Sequence, residues 1–360
     1  MKKYLIRYIA FPLALLVASQ TIAIAQQFSG QPLTILVNYP PGGPADIDAR
    51  IIARHIPRFL NGVSTVVIRN VGGAGGRIGV NLLGKSVDRD RLTLGVFTWN
   101  PIDQIIQEVT LQVRYQDLRF VAGYQQPTVV YVRKDSGALG KDGADLIKSG
   151  KFIAGALSPN SHSTIRMCLA LDLLNAQYHL VAGYKGLFET ELALRQNAIQ
   201  LTNTSLSSWA SSVRPSLIDS GIAMAAFQYD TIRSDGSLGR SPELLDIPSF
   251  LEVFQAVHGN GAMPQGEKWQ LLKTLNRLMD SMYRTVFLPP TAPKAAILEM
   301  REAFEKMGKD PSYIADYEKV VRAKPRILLG EEGDRIIADL GTMPSATAAF
   351  IKDYISILGR

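Results

Sequence analysis

The residues Leu33-Thr34-Ile35-Leu36-Val37-Asn38-Tyr39-Pro40-Pro41-Gly42-Gly43-Pro44-Ala45-Asp46 decide how the rest of the chain is read. An apolar run gives way to three prolines and two glycines, which cannot continue a strand. Proline fixes φ and has no N–H to donate, while glycine admits φ > 0, so a tight turn is expected. Beyond it, Ile47, Ile51, Ile52, Ile56, Phe59 and Leu60 recur at helical spacing, with Arg50, Arg54 and Arg58 on another face. A helix should begin near Asp46, with Pro44 or Ala45 in its first turn and Asp46 capping or complementing its positive end. Such a turn presents free backbone N–H groups at a helix N-terminus where a parallel strand ends, which suits an anion. An ordinary strand-to-helix turn is equally compatible with these residues taken alone.

Ahead of the turn, Lys2, Lys3 and Arg7 precede an apolar run from Tyr8 to Ala18 and then Ala23-Ile24-Ala25. This predicts a secretory signal peptide over residues 1–25, since the run is shorter than the ~20 residues a spanning helix needs. The mature protein is expected to be soluble and exported to the periplasm. Without the three basic residues of that segment, the net charge falls from +7 to +4, and no Lys/Arg-rich block argues for a nucleic-acid partner. Cys168 is the single cysteine, so an intrachain disulfide or a cysteine metal cluster is excluded. The remaining length suits roughly two domains of about 100 to 200 residues each.

Strand-like and helical segments alternate. Strands are expected at Ser64–Arg69, Leu92–Phe97, Arg119–Gly123, Thr128–Arg133, Phe152–Ala156, Tyr178–Ala182, Ile199–Asn203 and Ile222–Phe227. Helices are expected between them, including Ala144–Lys148, Thr164–Asn175 and Leu187–Gln196, and most of the chain beyond Pro248 reads as helical. The pattern predicts an α/β protein whose sheets are mostly parallel and flanked by helices.

Two glycine motifs bear on nucleotide binding, and neither supports it. Val71-Gly72-Gly73-Ala74-Gly75-Gly76-Arg77-Ile78-Gly79 lacks the spacing of a dinucleotide fingerprint, and Gly79-Val80-Asn81-Leu82-Leu83-Gly84-Lys85-Ser86 matches a phosphate loop by letter only. In the second, bulky residues stand where a phosphate cradle wants exposed backbone. His55, His162, His179 and His258 fall in no catalytic motif, and neither G-x-S-x-G nor S-x-x-K occurs. No catalytic residue, metal or cofactor is expected. A second informative loop, Ala156-Leu157-Ser158-Pro159-Asn160-Ser161-His162-Ser163-Thr164, lies between a strand and a helix. Its hydroxyls could simply cap that helix, or could form the second wall of a ligand site.

The pair Tyr39–Asp46 and Gly72–Gly79 resembles the tripartite tricarboxylate transporter substrate-binding receptors, the Bug family of periplasmic solute-binding proteins. Ala182-Gly183-Tyr184-Lys185-Gly186, Leu245-Asp246-Ile247-Pro248-Ser249 and Phe287-Leu288-Pro289-Pro290-Thr291-Ala292-Pro293 stand where that family has V-P-Y-K-G, L-P-D-V-P-T and F-A-P-A-G-T-P.

The resemblance implies a two-lobed, Venus-flytrap receptor of type II-like fold, not an enzyme, with residues 26–126 plus 247–360 as one lobe and 127–246 as the other. It implies a monomer that captures a small organic carboxylate and delivers it to the membrane subunits of a secondary transporter. A receptor serving an ABC permease or a sensor kinase, or a secreted hydrolase, is the alternative. Carried over by position, the ligand contacts would be Tyr39, Gly42, Gly43, Ala45 and Asp46 on one side. Ser158, Asn160, Ser161, Ser163 and Thr164 would face them, with Thr98 and Asn203 as secondary contacts. The chain departs from the family in having Ala45 for a hydroxyl residue and Thr202-Asn203-Thr204-Ser205 for Phe-Asp-Ser. The region Gln255–Met282 is longer, and Tyr283 or Arg284 replaces a tryptophan.

Overall fold

The computed structural model describes residues 31–86, 92–135, 151–233 and 235–359. The expected signal peptide and the helix expected at Ala144–Lys148 lie outside the described residues. Strand β1 (Gln31–Val37) leads through the proline-glycine turn into α1 (Pro44–His55). There follow β2 (Val63–Asn70), α2 (Arg77–Gly84), β3 (Leu92–Thr98), α3 (Pro101–Ile105) and β4 (Arg119–Tyr124). A second run comprises β5 (Thr128–Arg133), β6 (Phe152–Ala156), α4 (His162–Leu173), β7 (Tyr178–Ala182), α5 (Leu187–Arg195), β8 (Leu201–Ser205) and β9 (Ala223–Gln228). Two short strands, β10 (Thr231–Ile232) and β11 (Leu238–Gly239), precede α6 (Phe250–His258) and α7 (Gly266–Ser281). The chain ends with β12 (Arg284–Leu288), α8 (Lys294–Lys309), α9 (Pro311–Val321), β13 (Ile327–Leu329), α10 (Glu331–Asp339) and α11 (Ser345–Leu358).

Among the described residues, two large sheets result, one in the order β13-β4-β12-β3-β1-β2 and one in the order β7-β6-β8-β5-β9, and β10 and β11 form a separate two-stranded antiparallel ribbon. The α/β class is as expected, and the flanking helices are present, but both sheets are mixed rather than mostly parallel. β1 runs parallel to β2 and β3, and β6 to β7 and β8. Against these, β12 is antiparallel to β3 and β4, β13 to β4, and β5 to β8 and β9. Parallel neighbours need a helical crossover within one run of sequence. β12 and β13 instead return from the far end of the chain, and β5 is entered through the three-residue link 125–127.

Central strand β1 is paired on both edges, and its Leu33, Ile35, Leu36 and Val37 are buried, which explains an unbroken apolar run. Helices α6 and α7, which the expected division gives to the first lobe, pack on the second sheet instead: α6 lies against β9, and α7 against α4. The reason is the buried stripe Trp269, Leu272, Leu275 and Met279 on α7, together with Asn276, whose Oδ1 accepts from Arg166 Nε of α4 at 2.8 Å.

The carboxyl end of β1 is held open by side-chain chemistry. Asn38 Nδ2 donates to Thr98 O at 3.0 Å and Asn38 Oδ1 accepts from Thr98 N at 3.1 Å, so one amide extends the ladder between β1 and β3 past its last backbone pair. Helix α2 then packs directly on Asn38. A Cβ on Gly79 would stand 2.8 Å from Asn38 Cβ and 3.0 Å from Val71 O, and one on Gly84 would stand 2.6 Å from Val113 Cβ. Both glycines of the phosphate-loop-like pattern therefore serve close packing within or at the end of a helix.

A buried ion pair joins the two ends of the chain. Arg284 Nε donates to Asp48 Oδ2 at 2.9 Å, with the arginine wholly buried and the aspartate nearly so. Gln126 Nε2 also donates to Asp48 Oδ2, at 3.0 Å, and Ser207 Oγ reaches it at 3.4 Å from beyond β8. Burial raises the Asp48 pKa, and the Arg284 guanidinium is the largest influence against that rise.

Two stability measurements check this packing. Gly79→Ala should cost about 1–3 kcal/mol in urea unfolding, because backbone must move to admit one methyl. Asp48→Ala should cost about 3–5 kcal/mol by leaving Arg284 buried without its counter-ion, and the double change Asp48→Leu with Arg284→Met should recover part of that loss.

Candidate ligand site

A cavity of about 250 Å³ lies between the proline-glycine turn and the serine-rich loop. One wall is Tyr39, Pro40, Pro41, Gly43, Pro44 and Ala45, with Thr98 and Tyr283 beside it. The facing wall is Leu157, His162 and Ser163 from the β6–α4 loop and Gly186, Leu187, Phe188 and Glu189 from the start of α5. Larger surface grooves, of about 550 Å³ around Arg277 and about 760 Å³ beside Val109, do not bring the two loops together.

Three helices begin at this cavity, and each begins there for a local reason. Gly43 precedes α1 in extended conformation and Pro44 opens the helix. Ser161 caps α4 by accepting from Thr164 N at 3.2 Å. Gly186 precedes α5, where the peptide N–H groups of Glu189 and Thr190 turn back to its carbonyl. The first-turn N–H groups of a helix have no acceptor inside it. Ala45 in α1, Ser163 in α4, and Leu187 and Phe188 in α5 hold such positions, and all four residues line the cavity. Helix dipoles add positive potential from three directions. This arrangement can hold an anion with main-chain donors.

Of the positions expected from the sequence, Tyr39, Gly43, Ala45, Thr98 and Ser163 line the cavity. Gly42 and Asp46 do not: Asp46 Oδ2 accepts from Gly42 N at 3.0 Å and from Arg50 Nε at 2.8 Å, so the carboxylate ties down the turn. Ser161 and Thr164 share the α4 cap, their hydroxyls 2.7 Å apart. Asn203 stands behind that helix, with Nδ2 donating to Ser163 O at 3.3 Å. Ser158 does not line the cavity and packs against Gly75 instead: a Cβ on Gly75 would lie 2.9 Å from its Oγ.

Asn160 bridges the cleft, with Nδ2 3.1 Å from Asp103 Oδ1 and its own carbonyl accepting from Asn100 Nδ2 at 2.9 Å. Asn100 Oδ1 in turn accepts from His162 N at 3.0 Å. Asp103 also accepts from Arg77 Nη1 at 3.0 Å, and burial pushes its carboxyl up to about 7.

His162, Tyr283 and the Gly186–Glu189 segment are absent from the contacts expected from the sequence. The signal is present in part: His162 lies inside the quoted serine-rich loop, and Gly186 followed by a helical run marks a third N-terminus. Tyr283 is placed only by the antiparallel return of β12. Its ring meets the His162 ring edge-on, with centroids 5.4 Å apart at 88°. His162 is 3% exposed and its Nδ1 has no hydrogen-bond partner. Desolvation first, then Arg166 and Arg284, hold this imidazole well below its ordinary range, so it is neutral. An unfolded chain would protonate it below pH ~6.5 while the fold rejects the proton, so stability is lost as pH falls through that value. His162→Gln should therefore lose less stability than the parent between pH ~7.5 and ~5.0, as measured by urea midpoints.

No family model matches the chain. Among curated proteins it is 25% identical over 279 residues to the UPF0065 protein of the tcbD-tcbE intergenic region of Pseudomonas sp. strain P51, covering 73% of this chain and 77% of that protein. It is 39% identical over 62 residues to BugT of Bordetella pertussis, 17% of this chain and 18% of BugT. Among solved structures, the periplasmic binding protein BugD superposes with a TM-score of 0.65 at 18% identity, covering 90% of this chain and 97% of BugD. R. palustris Rpa4515 with adipate gives a TM-score of 0.65 at 17% identity, covering 91% and 97%. At those identities the superpositions speak to the fold, which is that of periplasmic binding proteins. Sequence and fold together agree with the resemblance carried by Tyr39–Asp46 and Gly72–Gly79: this chain is similar to BugT over a short stretch, to the UPF0065 protein over most of its length, and to BugD in fold.

Proposed function

We propose that the protein is a periplasmic solute receptor that closes two lobes on a small organic carboxylate and delivers it to a tripartite tricarboxylate-type membrane transporter. The observation that carries this reading is the convergence of three helix N-termini, from both sheets, on one cavity. The fold neighbour Rpa4515, solved with adipate, supports the same ligand class. The lobes follow the two sheets, with residues 26–126 joined by the C-terminal segment from β12 onward as the first. Residues 127–246 form the second, and α6 and α7 ride on it.

The energetics suffice without a metal or a buried cation in the wall. Hydrogen bonds to a charged group contribute about 1.5–3 kcal/mol each. Three or four would supply roughly 5–12 kcal/mol before the losses of association, a range that contains the ~8 kcal/mol of micromolar binding, with burial of the guest's apolar body adding to it. Donors from both lobes give the ligand a higher affinity for the closed form and so shift the population toward it.

A thermal-shift screen should show raised melting temperatures with selected organic acids and none with neutral sugars or metal cations. A shift from sugars or cations alone would refute the carboxylate class. Asn160→Ala removes a bridge across the cleft and should weaken ligand binding about tenfold, or ~1.4 kcal/mol, in calorimetric titration. Unchanged affinity in a folded variant would show that Asn160 does not assist closure.

A further inference from the structure

The cavity is polar at one end and apolar along the rest. Thr98, His162 and Ser163 form the polar end and are physically linked. Arg284 Nη1 donates to Thr98 Oγ1, the Arg284 guanidinium lies over the Tyr283 ring, Tyr283 meets His162, and Ser163 is next along α4. His162 Nδ1 is a buried polar atom without a partner at this end. Toward the other end Gly186 comes up against Pro40, and Phe188, 49% exposed, stands at the mouth. Pro41, Leu157 and Leu187 complete an apolar sleeve.

The charges are equally one-sided. Among the described residues, neither lysine nor arginine lines the cavity, and Arg284 behind Thr98 is already engaged by Asp48. The one carboxylate among the described wall residues is Glu189, whose Oε2 accepts from Lys185 N at 2.8 Å and is thereby held in the first turn of α5. It offsets the positive end of that helix. A second negative charge on a guest would find no cation and would lie in the same small space as Glu189.

We infer that the ligand is a monocarboxylate with an uncharged, mainly apolar body, and that Glu189 discriminates against guests carrying a second carboxylate. This rests on the carboxylate reading given above and narrows it. The carboxylate takes the main-chain donors of the converging first turns on the side of Thr98, His162 and Ser163, and the body runs along the apolar side chains of the sleeve toward Phe188.

Four six-carbon probes separate the possibilities by calorimetric titration of the intact protein: hexanoate, adipate, 6-aminohexanoate and hexanamide. Hexanoate should bind at least tenfold tighter than adipate and than 6-aminohexanoate. In Glu189→Gln the hexanoate-to-adipate ratio should fall severalfold, because a glutamine keeps the Lys185 N–H acceptor and drops the charge. Adipate binding as well as hexanoate would overturn the inference while leaving the carboxylate reading intact. Tightest binding of 6-aminohexanoate would also overturn it, by making Glu189 an ammonium partner. Hexanamide matching hexanoate, or no acid binding, would remove the carboxylate reading itself. An unchanged ratio in a Glu189→Gln protein whose melting temperature matches the parent would refute the role given to Glu189.

Discussion

A helix cannot satisfy the N–H groups of its own first turn, and three helices of this chain bring that shortage to one place. Each disposes of part of it locally. The loop before α1 gives the Gly42 N–H to Asp46, α4 gives Thr164 N to Ser161 and His162 N to Asn100, and α5 folds Glu189 N back onto Gly186. The first-turn positions left over are those of Ala45, Ser163, Leu187 and Phe188, all at the cavity. An acceptor there improves several termini at once, which one surface terminus could not offer.

Holding three helix ends within one small space requires rigid backing. Asn38 fixes Thr98 to β1, and the glycine side of α2 fixes Asn38. Arg284 lies at the head of β12 and pairs with Asp48 on α1, so the last strand added to the first sheet's centre is tied to the first helix of the chain. Gln126 and Ser207 extend that network to the link between the sheets. The charge needed to hold this corner is therefore buried behind the cavity rather than exposed in it. That is why the walls can be nearly free of ionised groups while the potential stays favourable to an anion.

Much of this was legible in the residues because it is local. The run Leu33–Val37, the proline-glycine turn and the spacing from Ile47 to Leu60 point to β1, the turn and α1, and the serine-rich loop points to the start of α4. Strand β12 was not legible, since five residues beginning with arginine directly after a long helical pattern carry no period of their own. It is a strand because it lies between β3 and β4 and pairs antiparallel with both, contacts that come from far away in sequence. The site divides the same way. Tyr39, Gly43, Ala45 and Ser163 follow from their turns, whereas Tyr283 and the α5 terminus arrive through tertiary packing. Asp46 has the residue type and position of a ligand contact, but it lies outside the cavity lining and its Oδ2 is held by Gly42 and Arg50, an arrangement made by geometry and invisible to pattern.

In the proposed receptor, closure follows from where the donors sit. A ligand shifts an equilibrium only by its differential affinity for the two states. A guest that touched Ala45 alone would bind open and closed forms alike and move nothing. Ser163 and Leu187 belong to elements of the second sheet's layer, while Ala45 and Thr98 belong to the first. Contacts independent of any guest already favour apposition, notably Asn160 with Asp103 and Asn100. Because these bridges meet part of the cost of bringing the walls together, the guest of the proposed receptor need supply only the remainder.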